Sequence, residues 1–234
     1  MPKINVYLPD DLAEAVKDSG VPVSSICQRA LHQAVRFVTT IHQTVRGDLE
    51  PGELADRLPQ FTALARDAIR TAIDNARTAS APGVSTGHLL TGILSANEGM
   101  AVDLLRAVDV DPVLVLQALA TETATEPGGS GPQSFTAPAA MVMESALAES
   151  MSLGHNYVGG EHLILSMINE ADCTAGQILR ELGAEARSVR RAMSTTLTTF
   201  TSTAVVTQKQ LAPLITRIEH LEQELIRLKE NPGR

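Results

Sequence analysis

A chain that repeats itself folds as copies of one unit, and this sequence repeats at an offset of 74 residues. Phe61-Thr62-Ala63 falls on Phe135-Thr136-Ala137, and with no gap Ala72 then meets Ala146, Val84 meets Val158, and His88-Leu89 meets His162-Leu163. Leu105-Arg106 meets Leu179-Arg180, and Val115 meets Val189. Where the copies differ they mostly stay apolar, as in Ile69 with Met143, Ile73 with Leu147, and Leu104 with Ile178. One register held over almost sixty residues is a tandem duplication, with repeats at 61–119 and 135–193.

Each copy has a helical period. Leu64, Ala65, Ala68, Ile69, Ala72, Ile73 and Ala76 recur every three or four residues and draw one apolar stripe. Thr62 and Thr136 suit the N-cap, and Pro138 falls in a first turn, where its missing donor costs little. A second helix carries Leu89, Leu90, Ile93 and Leu94, a third Ala101, Leu104, Leu105 and Val108, and a fourth runs from about Pro112 to Ala120. Gly183 stands where a helix-ending C′ residue belongs. The chain has no Trp and 3% aromatic residues, so small and straight-chain apolar side chains do the packing, which favours helices over a sandwich or barrel. The expected fold is mainly α: two four-helix units packed as pseudo-twofold mates. Glu126-Pro127-Gly128-Gly129-Ser130-Gly131-Pro132 between them reads as a flexible linker.

The stretch Leu153-Gly154-His155-Asn156-Tyr157-Val158-Gly159-Gly160-Glu161-His162-Leu163, with Arg180-Glu181-Leu182-Gly183-Ala184 after it, resembles the N-terminal (Clp repeat) domain of Clp ATPases, the ClpC type in particular. The resemblance covers residues 61–193 and is closer in the second copy. It implies a receptor for substrates, adaptors and arginine-phosphorylated proteins, on which cyclic peptide antibiotics also dock. No Gly-x-x-x-x-Gly-Lys-[Ser/Thr] loop occurs in the sequence, so no nucleotide site can be argued. The family's paired Thr-Glu, which grips phosphoarginine in each repeat, is split: Thr86-Gly87 in the first copy, Gly160-Glu161 in the second. The resemblance therefore nominates Thr86, Glu161, Phe61 and Phe135 for peptide or phosphoarginine binding. A carboxylate at Glu161 can pair with a guanidinium, or it can simply be a first-turn acid favoured by the helix dipole.

Residues 1–46 have a different pattern. Lys3-Ile4-Asn5-Val6-Tyr7-Leu8 alternates as a strand, Pro9 ends it, and Asp10 or Asp11 can cap a short helix through about Asp18. After a turn, Ser24 can cap a longer helix bearing Ile26, Cys27, Ala30, Leu31, Ala34, Val35 and Val38. One strand and two helices resemble the ribbon-helix-helix regulators, with Ser24-Ser25-Ile26 through Arg29-Ala30-Leu31 in place of the second-helix motif. A lone strand needs a mate, which implies a homodimer through the ribbon. The resemblance puts Lys3, Asn5 and Tyr7 against DNA bases or phosphates and the amides at Ser24 and Ser25 on a phosphate. A dimerisation ribbon that reads no DNA is the alternative.

Residues 47–60 read as a linker broken at Glu50-Pro51-Gly52, and 194–207 as a Ser/Thr-rich spacer. Leu211, Leu214, Ile218, Leu221, Leu225 and Leu228 follow a heptad over 208–230, a coiled-coil-like helix that can pair between chains or fold back. The net charge of −8 argues against a surface that binds nucleic acid everywhere, though not against a small DNA-reading module. No histidine, cysteine or carboxylate spacing forms a metal or catalytic motif, and neither a signal peptide nor a membrane span stands out. Expected, then, is a cytoplasmic, non-catalytic protein without cofactor. It is either a transcriptional regulator whose Clp-like domain senses a peptide, a modified protein or an antibiotic, or an adaptor or decoy of the Clp protease that binds no DNA.

Overall fold

The computed structural model describes residues 7–47, 50–122 and 126–195 of the chain. Lys3 and Asn5, the expected strand over residues 3–8 except Tyr7 and Leu8, and the heptad segment 208–230 lie outside the described residues.

Helices account for the ordered elements: α1 (Asp10–Ser19), α2 (Val23–Arg46), the single turn α3 (Leu54–Arg57), then α4 (Ala63–Thr78), α5 (Thr86–Ser95), α6 (Met100–Ala107) and α7 (Pro112–Thr121) in the first repeat. The second repeat supplies α8 (Ala137–Ser152), α9 (Gly160–Asn169) and α10 (Thr174–Glu181), and a last helix, α11, over 186–195. The expected N-caps form: Thr62 accepts from the Ala65 amide at 3.2 Å and Thr136 from the Ala139 amide at 3.3 Å. The apolar stripe of α4 is buried as its period requires, except that Leu64 stays about half exposed. α10 ends in a Schellman motif, with Gly183 at φ +100°, its amide donating to Arg180 O and the Ala184 amide to Leu179 O. Its mate in the first repeat is the same turn built on Asp109 at φ +60°.

The repeats are interlocked rather than laid side by side. Phe61 forms a parallel bridge with Val158, and Phe135 forms the mate bridge with Val84. Thr62 and Val158 amides donate to Val158 O and Gln60 O, both at 2.9 Å, and the reciprocal pair runs from Val84 to Ser134 O and from Thr136 to Val84 O. Each copy thus pairs its entry segment with the other copy's loop through an isolated bridge, which is the pseudo-twofold in hydrogen bonds.

Two segments expected to be linkers belong to the core. Residues 51–57 form a 3-10 turn and α3, and Leu54 and Leu58 are fully buried. α2 lies along α8, with Ile41 and Val45 buried in the same core. The segment from Glu126 is pinned as well: the Gly131 amide donates to Pro82 O at 3.1 Å. A Cβ on Gly129 would stand 2.3 Å from Pro82 O, and its φ is +92°, so only glycine lets this backbone come so close. The start of α2 also differs from expectation. The helix begins at Val23 with Pro22 before it, so Ser24 and Ser25 lie inside the first turn, where the Ser25 hydroxyl donates back to Pro22 O at 2.9 Å. α1 likewise begins at Asp10 itself, after Pro9. Among the described residues no helix is long and apolar enough to cross a membrane.

Candidate functional site

The duplication brings two pairs of helix N-termini together, α5 with α10 and α9 with α6. Unpaired amides at such ends attract negative charge. Each pair has a carboxylate, and the two arrive by different routes.

At α5 and α10 the carboxylate is that of Glu126, buried to 5% exposure. One oxygen accepts from the Thr86 amide at 2.9 Å and the Thr136 hydroxyl at 2.7 Å; the other accepts from the Thr86 hydroxyl and from the Thr174 amide at 3.3 Å. The Thr86 hydroxyl in turn accepts from the Ala175 amide at 3.1 Å. This site is closed by the chain itself. Thr86 is fully buried and its hydroxyl is engaged on both sides.

At α9 the carboxylate is that of Glu161, in the first turn and 4% exposed. The local sequence makes room for it. In the first copy the N-cap is Ser85, whose hydroxyl accepts from His88 N. In the second copy the N-cap is Gly159, where a Cβ would sit 2.4 Å from both Glu161 carboxylate oxygens. The carboxylate occupies the space that a serine side chain would need. Burial pushes the Glu161 carboxyl above the ordinary carboxylate range, and a hydrogen bond from its own backbone amide pulls the other way. Burial, and the Glu161 charge after it, raises the Tyr157 phenol.

Glu161 lines an open cavity of about 190 Å³. The walls come from α4 (Leu64, Ala65, Ala68), the α5–α6 junction (Ile93, Glu98) and Tyr157. Carboxylates at Glu161 and Glu98 among apolar walls suit a cation carried on an apolar stem.

His88 and His162 play one structural role in both copies. Each Nδ1 accepts from the N-cap amide at 3.0 Å, from Ser85 and Gly159 respectively. An accepting Nδ1 carries no proton, so the 3.3 Å approach of Glu161 to His162 Nδ1 is not an ion pair. The His162 proton is therefore on Nε2, which donates to His155 Nδ1 at 2.7 Å. Burial, helped by His155, lowers the His162 pKa to about 4.

Of the residues nominated from the sequence, Glu161 alone lines this cavity. Phe61 and Phe135 are 2% and 5% exposed and form the inter-repeat bridges, and Thr86 is held at the closed site. Tyr7 is 93% exposed; Ser24 and Ser25 are exposed on α2. Sequence reasoning missed Glu126, because Pro-Gly-Gly after it looks like a linker. The available signal was the orphaned Thr86, a buried first-turn threonine whose neighbouring glutamate had become Gly87. Cys173 is buried and caps α10, accepting from the Gly176 amide at 3.2 Å, while Cys27 is half-buried on α2. Among the described residues no cluster of three His, Cys, Asp or Glu could hold a metal ion.

The Clp repeat (R) N-terminal domain family matches residues 60–182 and 134–225, and the chain belongs to that family. Its relatives include a probable ATP-dependent Clp protease ATP-binding subunit of Chlamydia pneumoniae, 32% identical over 60% of this chain and 17% of its own length. A Mycobacterium tuberculosis protein described as uncharacterized is 35% identical over 48% of this chain and 44% of its own length. The chain therefore spans less than half the length of either relative. Among solved structures, the N-domain of ClpV from Vibrio cholerae superposes with a TM-score of 0.52 at 17% identity, covering 65% of this chain and 92% of that one, a likeness of fold.

Proposed function

We propose that this chain is a non-catalytic receptor that binds an arginine-bearing peptide or protein segment in the cavity beside Glu161. The observation that carries the reading is the asymmetry of the two carboxylate sites. Glu126 satisfies and closes one, whereas Glu161 lines an open cavity together with Glu98 and Tyr157. A guanidinium pairs with a carboxylate and its methylenes cover Leu64 and Ile93. Because the residue next to Glu161 is Gly160 and the cavity holds the carboxylates of Glu161 and Glu98, unmodified arginine is preferred over phosphoarginine, whose phosphoryl group would lie among carboxylates. Fluorescence anisotropy with a labelled arginine peptide, its phosphoarginine form and its citrulline form tests this. The arginine peptide should bind tightest, and Glu161→Gln should weaken it by about tenfold or more. Equal binding of the citrulline peptide would overturn the reading. Cyclic peptide antibiotics belong in the same assay as competitors.

A second reading concerns residues 1–46. Leu12, Ile26, Leu31 and Val35 are each about half exposed or more, and no residue of α1 is buried. Such a stripe suits a second copy of the chain, which supports the homodimer and, with Lys3, Asn5 and Tyr7 on its ribbon, a DNA-binding regulator. Light scattering reads the dimer, and a gel shift on the gene's own upstream DNA reads the binding. Alanine at Lys3, Asn5 and Tyr7 together should abolish the shift and spare peptide binding. A dimer that takes the arginine peptide and no DNA is instead an adaptor or decoy for Clp protease components.

A further inference from the structure

The closed site holds more than the Glu126 carboxylate: it also holds the chain that delivers it. The Pro127 carbonyl accepts from the amide of Ala137, the first residue of α8, at 2.9 Å. Gly128 follows at φ +89°, where a Cβ would stand 3.0 Å from Ala137 N, so glycine belongs at this turn. Gly129 then passes Gly83 closely, since a Cβ on Gly83 would lie 3.1 Å from Gly129 Cα. Glu126-Pro127-Gly128 thus crosses the start of α8 with the Glu126 side chain between the ends of α5 and α10. Beside it Thr136 is 2% exposed and Pro138 is buried.

The open cavity is the same place in the other repeat, without that chain. At the offset of 74 residues, the lining residues Thr62, Met100 and Gly160 are the mates of Thr136, Thr174 and Thr86, which hold Glu126. Ala63 is the mate of Ala137. It opens α4 as Ala137 opens α8, it is exposed, and among the described residues its amide meets no acceptor. Leu64, the mate of the buried Pro138, is 48% exposed. A backbone donor and an apolar side chain whose mates are covered in the closed site therefore stand uncovered here. The two paths differ at one point. Tyr157 stands at the mate position of Gly83, so a chain lying here cannot follow the line that Gly129 takes.

We propose that the open cavity takes its arginine from a segment of the form Arg-Pro-Gly, lying as Glu126-Pro127-Gly128 lies in the closed site. The arginine side chain enters between the ends of α9 and α6. A cation replaces the anion at this position because Glu161 supplies the carboxylate from within. The proline carbonyl accepts from the Ala63 amide, and proline suits this place because it brings no N–H to satisfy. The glycine makes the left-handed turn over Ala63, which a residue with a Cβ resists. Beyond it the segment leaves the surface, turned away by Tyr157. The inference rests on arginine binding beside Glu161 and adds to it the backbone register and the two residues that follow the arginine.

Calorimetric titration of the full chain with acetylated Arg-Pro-Gly, Arg-Pro-Val and Gly-Pro-Arg amides tests the register. Arg-Pro-Gly should bind about fivefold or more tightly than either of the others. Ala63→Pro removes the N–H at the first position of a helix, where proline is tolerated. Thr62 before it, at φ −61° and ψ 160°, already has the backbone that a following proline requires. Ala63→Pro should weaken Arg-Pro-Gly by about fivefold. It should leave the melting temperature and the binding of N-acetylarginine methylamide, which lacks the second carbonyl, unchanged. Equal affinity for Arg-Pro-Gly and Arg-Pro-Val overturns the proposal, as does Ala63→Pro binding Arg-Pro-Gly as well as the parent. If Ala63→Pro fails to fold, or weakens N-acetylarginine methylamide equally, the glycine–valine ratio on the unaltered chain decides alone. A citrulline-Pro-Gly peptide that binds as well as Arg-Pro-Gly, and is weakened by Ala63→Pro, sinks the arginine reading and keeps the register. Binding by none of these peptides sinks both.

Discussion

The two repeats solve the same electrostatic problem with opposite economies. The first leaves a threonine at the start of α5 and brings in Glu126 from forty residues away, so that one buried carboxylate receives four hydrogen bonds. The second keeps a glutamate at the start of α9 and folds it back over Gly159, buried but poorly compensated. A carboxylate at a helix N-terminus can therefore be a structural rivet or a strained, available group. What decides between them is the number of donors around it, not its burial, which is nearly equal in the two.

The largest expected effect breaks the rivet. Glu126→Ala strands two amides and two hydroxyls in the interior, and urea unfolding should show a loss of roughly 3 kcal/mol or more. A comparable effect comes from acid and falls on the second repeat. The folded-state pKa of His162, about 4, lies below the ordinary 6.5, so the unfolded chain binds the extra proton between those values. Stability supplied by the neutral ring is then full above about pH 6.5 and lost as the pH falls toward 4, on the order of 3 kcal/mol in all. Urea midpoints at pH 7, 5.5 and 4 measure it, and His162→Asn should flatten that part of the slope. A change of opposite sign follows at Glu161. Its folded pKa is raised, so Glu161→Gln should stabilise the protein at pH 7, and the gain should shrink as the pH falls through the raised value into the ordinary carboxyl range. If both glutamates destabilise on substitution at neutral pH, the contrast between rivet and available group is wrong. The smallest effect compares the helix ends: Asp109→Gly should gain about 0.5–1 kcal/mol, because glycine adopts the left-handed turn that its mate Gly183 already uses.

Within the repeats, what depends on near neighbours was legible in the sequence, whereas the caps expected at Ser24 and at Asp10 or Asp11 were displaced by the prolines before them. The N-caps Thr62 and Thr136, the stripe of α4, and the C′ glycine at Gly183 were all placed from local spacing, and the repeat gave the pseudo-twofold. The segments read as linkers failed for one reason: Pro and Gly report local chain geometry and carry no information about what the chain later packs on. Leu54, Leu58 and Glu126 are fixed by partners far along the chain, and a window of ten residues around any of them shows a loop. At the site, Glu161 was found because it lies within a motif. The Ala63 amide belongs to no motif, and the partner it lacks is visible only beside Ala137, in three dimensions.

The reciprocal bridges of Phe61 with Val158 and Phe135 with Val84 say something about ancestry. A half-length forebear with one repeat could close those bridges only on a second copy of itself, as an isologous dimer. In such a dimer every change is made twice, so neither half can gain a carboxylate without the other. Joining the halves in one chain removed that constraint. Thr86 now stands where its mate is Gly160, and Gly87 where its mate is Glu161: broken symmetry that a homodimer could not have encoded.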